Sequence, residues 1–108
     1  MSRPPVYYAK PVVRRLFKAL ARAGFQPLRV DYGEDEDVQA PTWTRMFDAV
    51  FEVDDCIAFI ARDGEQPCWL RLIAYNGEDV VSDYNYRPGS VFDTTMSEFN
   101  ASEDRRTE

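Results

Sequence analysis

The stretch Cys56–Tyr75, CIAFIARDGEQPCWLRLIAY, decides the fold. Its two halves, CIAFIAR and CWLRLIAY, are rich in β-branched and aromatic side chains and apolar at nearly every position, and DGEQP between them carries Asp63 and Gly64. Such a pattern predicts an antiparallel hairpin, buried on at least one face. A turn near Gly64 sets Cys68 opposite a residue between Phe59 and Arg62, well up the ladder from the partner of Cys56. At ~3.3 Å per residue the two cysteines stand roughly 10 to 20 Å apart. A disulfide needs Cα atoms within ~7 Å, so both thiols are expected to be free, small core residues.

Helices are expected on either side of the hairpin. Between Thr42 and Asp54, Trp43, Met46, Phe47, Val50 and Phe51 recur with the spacing of a core-facing helical stripe. Earlier, Pro11 suits a first helical position and Gly24 a left-handed stop, which predicts a helix over 11–23. Val13, Leu16, Phe17 and Leu20 share one side of it, and Lys10, Arg14, Lys18 and Arg22 form a basic ridge on another. Between these helices, Leu28, Val30 and Tyr32 alternate as a short strand, after which Gly33 and the acids Glu34, Asp35, Glu36 and Asp37 are expected to form a solvated loop.

Downstream, Asn76-Gly77 favours a tight turn, and Val80 to Tyr84 form a third strand or an irregular edge segment. Ser90 and Asp93 make an S-x-x-D cap before Phe92, Met96 and Phe99, predicting a helix over 91–100; residues 101–108 are expected to fray. The fold class expected is α+β: one small domain over 1–100, with two or three helices packed on one face of a small antiparallel sheet containing the hairpin. Its core should include Leu16, Phe17, Leu20, Phe47, Val50, Phe51, Ile57, Phe59, Leu70, Leu72 and Ile73.

Composition narrows the chemistry. The 108 residues are 44% hydrophobic and contain no histidine, two cysteines and five glycines. Ser-His-Asp and Cys-His relays and imidazole-based zinc sites are thereby excluded. No G-x-x-x-x-G-K-[ST] or G-x-G-x-x-G phosphate cradle occurs. DYGEDED lacks the spacing of a calcium-binding EF-hand loop, and Asp54-Asp55 is expected to end a helix rather than to form an acid–base pair. No enzyme activity, cofactor or metal is expected. MSRPPVYYAK lacks the apolar middle of a signal peptide, and no run reaches the ~18 apolar residues of a membrane span; a cytoplasmic address is expected, with no membrane partner.

Charge is unevenly distributed. Residues 1–30 hold seven basic side chains and no acid, whereas residues 31–108 hold all 19 acids against six arginines, giving a net charge of -6. The basic ridge would run along roughly 18 Å of helix and could meet nucleic-acid phosphates. Opposing this are the sequence pI of about 4.6 and the absence of interleaved aromatic residues. The acids, in turn, could imitate a phosphate field on the basic surface of another protein.

A resemblance adds context. Trp69 to Tyr75, Asn76-Gly77, and then Asp79, Val80, Val81, Ser82, Asp83 and Tyr84, preceded by MFDAVFEVDD, resemble a segment of small phage and mobile-element proteins with a Trp-led strand, an Asn/Gly turn and a "DVISDY"-like sequence. Those proteins tend to place a glycine between the aromatic residue and the asparagine, whereas Asn76 directly follows Tyr75 here. The resemblance implies kinship and carries no assigned activity; small acidic phage proteins often act by binding a host or phage protein, including defence complexes in the host bacterial cytoplasm. The expectation is a non-enzymatic interaction protein that binds a protein partner, with Glu34, Asp35, Glu36, Asp37, Tyr75, Asp79, Asp83 and Tyr84 as candidates. One form of it is inhibition of a defence nuclease complex by occupying its nucleic-acid groove. The alternative is a nucleic-acid-associated regulator using Lys10, Arg14, Lys18 and Arg22.

Overall fold

The computed structural model describes residues 5–85 and 87–107. Along the chain run α1 (Pro5–Arg22), β1 (Phe25–Gly33), β2 (Glu36–Gln39), α2 (Trp43–Val50), β3 (Asp55–Arg62), β4 (Cys68–Ile73), β5 (Val81–Tyr84) and α3 (Val91–Thr107). The strands form one antiparallel sheet in the order β2-β1-β3-β4-β5. This is the expected α+β class.

The hairpin forms as expected. In its register Ile60 faces Cys68 and Cys56 faces Leu72. Both cysteines are free and buried, and burial pushes the Cys56 thiol up to about 12, far from a reactive thiolate.

Which residues of the hairpin turn inward differs from the expectation. Cys56, Ala58 and Ile60 of β3 and Cys68, Leu70 and Leu72 of β4 are buried, together with Val12, Val13, Leu16 and Leu20 of α1, Met46, Ala49 and Val50 of α2, and Phe92, Met96 and Phe99 of α3. The three helices therefore cover one face of the sheet. Ile57, Phe59 and Ile73, expected in the core, alternate with the buried set and are only half-buried on the other face. Phe47 and Phe51 pack at the margin of the core rather than inside it. In CIAFIAR both alternating sets are apolar, so hydrophobicity alone does not tell inside from outside.

Element boundaries also differ. The first helix begins at Pro5, so Pro11 lies inside it rather than at its start. Pro11 brings no N–H to the helical ladder, but its neighbours Ala9, Val12 and Val13 are buried, and their packing carries the helix through it. Gly24 does end that helix, at φ 94°. The second helix stops at Val50 with Phe51 as its C-cap, and the hydroxyl of Thr42 accepts the N–H of Arg45 at its start. Asp55 opens β3.

The acids expected in a loop instead build a two-residue hairpin turn. Gly33 pairs with Glu36, and Glu34 and Asp35 both take positive φ, 51° and 63°. Positive φ at both central positions gives the backbone the twist that matches the flanking strands. Beyond β4, the Asn76 side-chain amide donates to the Asp79 carbonyl at 2.8 Å, closing a turn before edge strand β5. The Ser90 hydroxyl accepts the Asp93 N–H at 3.0 Å and caps α3, which continues past Asn100 to Thr107.

Candidate functional site

The face of the sheet away from the helices presents side chains in rows, because Cα partners of antiparallel strands point the same way. One row crosses all five strands: Asp37 of β2 pairs with Asp31 of β1, Asp31 with Ile57 of β3, Ile57 with Arg71 of β4, and Arg71 with Asp83 of β5. A second row runs Gln39, Arg29, Phe59 and Trp69. Asp55 pairs with Ile73 beside them. The centre is thus Ile57, Phe59, Trp69 and Ile73, with four carboxylates around it.

The charges on this face are braced. Arg71 donates Nε to Asp55 Oδ1 at 3.0 Å and Nη2 to Asp55 Oδ2, a two-pronged contact. That hydrogen bond, with the attraction of the guanidinium, holds the Asp55 carboxyl below its ordinary value. The Arg29 guanidinium lies 3.9 Å from the centre of the Phe59 ring and donates to Asp37 Oδ2 at 2.9 Å. Asp31 Oδ1 accepts the Gly33 N–H at 2.8 Å. Two shallow depressions of about 420 and 430 Å³ meet at Asp31 and Gly33. Among the described residues, no group of three or more histidine, cysteine, aspartate or glutamate side chains is arranged to hold a metal ion.

The structure divides the residues singled out from sequence. Glu34, Asp35, Glu36 and Asp37 lie at one edge of the sheet, and Tyr75, Asp79, Asp83 and Tyr84 at or beyond the other. Four strand spacings, roughly 19 Å, separate β2 from β5. Only Asp37 and Asp83 enter the common row, at its two ends. Tyr84 turns to the helix layer and meets Phe92 edge-on, with centroids 5.7 Å apart. Tyr75 is exposed in the β4–β5 connection.

Asp31, Arg29 and Arg71 were not singled out from sequence, and Asp55, Phe59 and Trp69 were read there as a helix end, a core residue and the head of a strand rather than as parts of a site. A signal existed: in RVD and in WLRLI, charged residues alternate with apolar ones, and their parity marks the wet face.

The basic ridge lies on α1, across the sheet from these carboxylates. Lys10 Nζ is 5.7 Å from the centre of the Phe51 ring, and the Arg14 guanidinium 4.7 Å from that of Phe47. Lys18 and Arg22 are exposed and make no ion pair among the described residues.

Comparison with protein-family models, with curated proteins and with solved structures finds no match to this chain. No helix is long and apolar enough to cross a membrane among the described residues.

Proposed function

We propose that this chain is a non-catalytic interaction protein that docks on another protein through the open face of its sheet. The supporting observation is the cross-sheet row Asp37-Asp31-Ile57-Arg71-Asp83, lying beside half-buried Phe59 and Trp69. An apolar, aromatic centre within a charged rim is the anatomy of a docking surface. The face measures roughly 20 by 20 Å, suited to a compact transient interface rather than an obligate one.

The carboxylates Asp31, Asp37, Asp55 and Asp83 outnumber Arg29 and Arg71 on this face, which selects a partner surface that is basic around an apolar patch. A second copy of the chain fits poorly, since it would bring the same surplus of acids against itself. The resemblance to phage proteins makes a host or phage protein the natural partner. A nucleic-acid groove of a defence nuclease complex supplies a basic surface of this kind.

The test is affinity capture from a bacterial host lysate by wild type, by Asp37→Lys/Asp83→Lys, and by a helix-layer control, Glu98→Lys, all with matched melting curves. A protein retained by wild type and the control but lost from the double variant supports the reading. Equal retention by all three overturns it.

A further inference from the structure

Where α1 meets α2, the helix layer holds a groove of about 490 Å³ on the far side of the sheet from the acid row. Its floor is aromatic: Phe17 and Trp43 lie with ring centroids 5.1 Å apart, and Phe47 sits beneath the Arg14 guanidinium. Trp43 and Phe47 are half-buried, so part of each ring faces solvent. Arg14 and Lys18 line the groove from α1, and Asp48 is the one acid among the lining residues; Arg22, one turn beyond Lys18, lies outside the groove, at the neighbouring α1–α3 cleft that Glu98 and Glu103 also line. No acid interrupts α1. The groove lining therefore carries two cations against one acid on a chain whose net charge is -6.

We propose that this groove binds single-stranded nucleic acid, a base lying against Trp43 and Phe47 and successive phosphates meeting Arg14, Lys18 and Arg22. The three cations follow one another about 6 Å apart along the helix, a spacing that an extended strand can track. Aromatic rings beside a basic track are the chemistry by which single strands are held without sequence preference. Trp43 and Phe47 are remote from the ridge in sequence; α2 brings them beside it in the fold, where they join Phe17 of α1. A duplex fits less well, because its base faces are already stacked and the rings are recessed between two helices. A mononucleotide satisfies one cation and leaves the others unused. Each cation–phosphate contact releases condensed counterions, so binding is tightest at low ionic strength and falls with added salt.

The two tryptophans make the test direct, because they lie on opposite faces of the sheet. In Trp69→Phe, Trp43 is the sole indole; in Trp43→Phe, Trp69 is. Titration with an oligothymidylate in about 20 mM salt is expected to quench Trp43 saturably and leave Trp69 unchanged. Adding Lys18→Ala/Arg22→Ala to the Trp69→Phe background should weaken binding at least tenfold and reduce the slope of log affinity against log salt by about 0.7 per cation removed. Both substituted side chains are exposed, and matched thermal melts establish that folding is retained. The proposal is overturned by an unquenched Trp43, by quenching indifferent to the double substitution, or by equal quenching with thymidine monophosphate at the same phosphate concentration. Tighter binding of a duplex, or equal competition by polyglutamate, overturns it as well.

Discussion

Arg15 stands next to Arg14 in sequence and on the other side of α1 in space. Its guanidinium bridges the two carboxylate oxygens of Glu103 on α3, at 2.9 and 2.7 Å, whereas Arg14 lies over Phe47. The pair is partly shielded and two-pronged, so a double-mutant cycle of Arg15→Ala and Glu103→Ala should give a coupling of about 1 kcal/mol in urea unfolding. Neighbouring hairpin residues allow a sharper test of which way the sheet faces. Ile60→Ala, at a fully buried site, should cost about 2–5 kcal/mol; Ile57→Ala, on the open face, should cost markedly less. Equal losses would contradict the orientation of β3. Asp55 and Glu52 both hold depressed carboxyl values, Asp55 through its hydrogen bond with Arg71 and Glu52 through those from Arg45 and then Tyr32. Their stabilisation is therefore present above the ordinary carboxylate value of about 4 and is lost as pH falls through the depressed folded values. Asp55→Asn should flatten the acid limb of the stability–pH curve. Tyr32 has the opposite sign. Burial, then its hydrogen bond to Glu52, raises it to about 12, so its contribution is present below about 10 and is lost as pH rises through that window. Its single hydroxyl proton serves either the Ala49 carbonyl at 2.8 Å or the Glu52 carboxylate at 3.0 Å.

The β1–β2 turn and the first helix each carry a local backbone cost that their packing offsets. Glu34 and Asp35 adopt positive φ, where L side chains are disfavoured and Asn-Gly is preferred. Replacing the pair with Asn-Gly should raise stability by about 1 kcal/mol, seen as a higher urea midpoint with an unchanged slope. In α1, Pro11 is exposed and interior; Pro11→Ala should stabilise the protein, by up to about 3 kcal/mol if the helix gains its full intrinsic preference. The same two elements show where local pattern misleads. A proline at a helix start is a sound rule, yet the helix starts six residues earlier, at Pro5, because burial of Ala9 rewards the extra turns. Four consecutive acids look like solvated loop, yet Asp37 and Val38 of β2 pair with Asp31 and Val30 of β1, and Val38 packs against the core. Likewise α3 runs past the polar start of ASEDRRTE, where Arg15 holds Glu103 from a helix distant in sequence.

Across the molecule the charge asymmetry of the sequence becomes an arrangement of faces. The sheet separates α1, with its exposed Lys18 and Arg22, from the row containing Asp31, Asp37 and Asp83. The two proposed surfaces should accordingly be separable. Asp37→Lys/Asp83→Lys should remove protein capture and leave quenching of Trp43 by oligothymidylate intact, and Lys18→Ala/Arg22→Ala should do the reverse. Loss of both functions in either variant would mean that the surfaces do not act independently. Protein docking should also slow as ionic strength rises, because screening shortens from about 30 Å at 0.01 M to about 8 Å at 0.15 M salt.

The sequence alone determined the class of the fold, the central hairpin with its free cysteines, the existence of helices between Thr42 and Asp54 and over 91–100, though not where they end, and the exclusion of histidine chemistry, because each rests on local periodicity, spacing or composition. Only the tertiary structure decided which side of CIAFIAR faces water and which carboxylates share a row. Alternation names two faces without saying which is covered, and the pairing of distant strands, with helices laid on one side, makes that choice. The carboxylates of the open face come from β1, β2, β3 and β5, and no window of sequence contains them together. For the same reason the aromatic floor beside the basic ridge came into view only when α2 packed against α1.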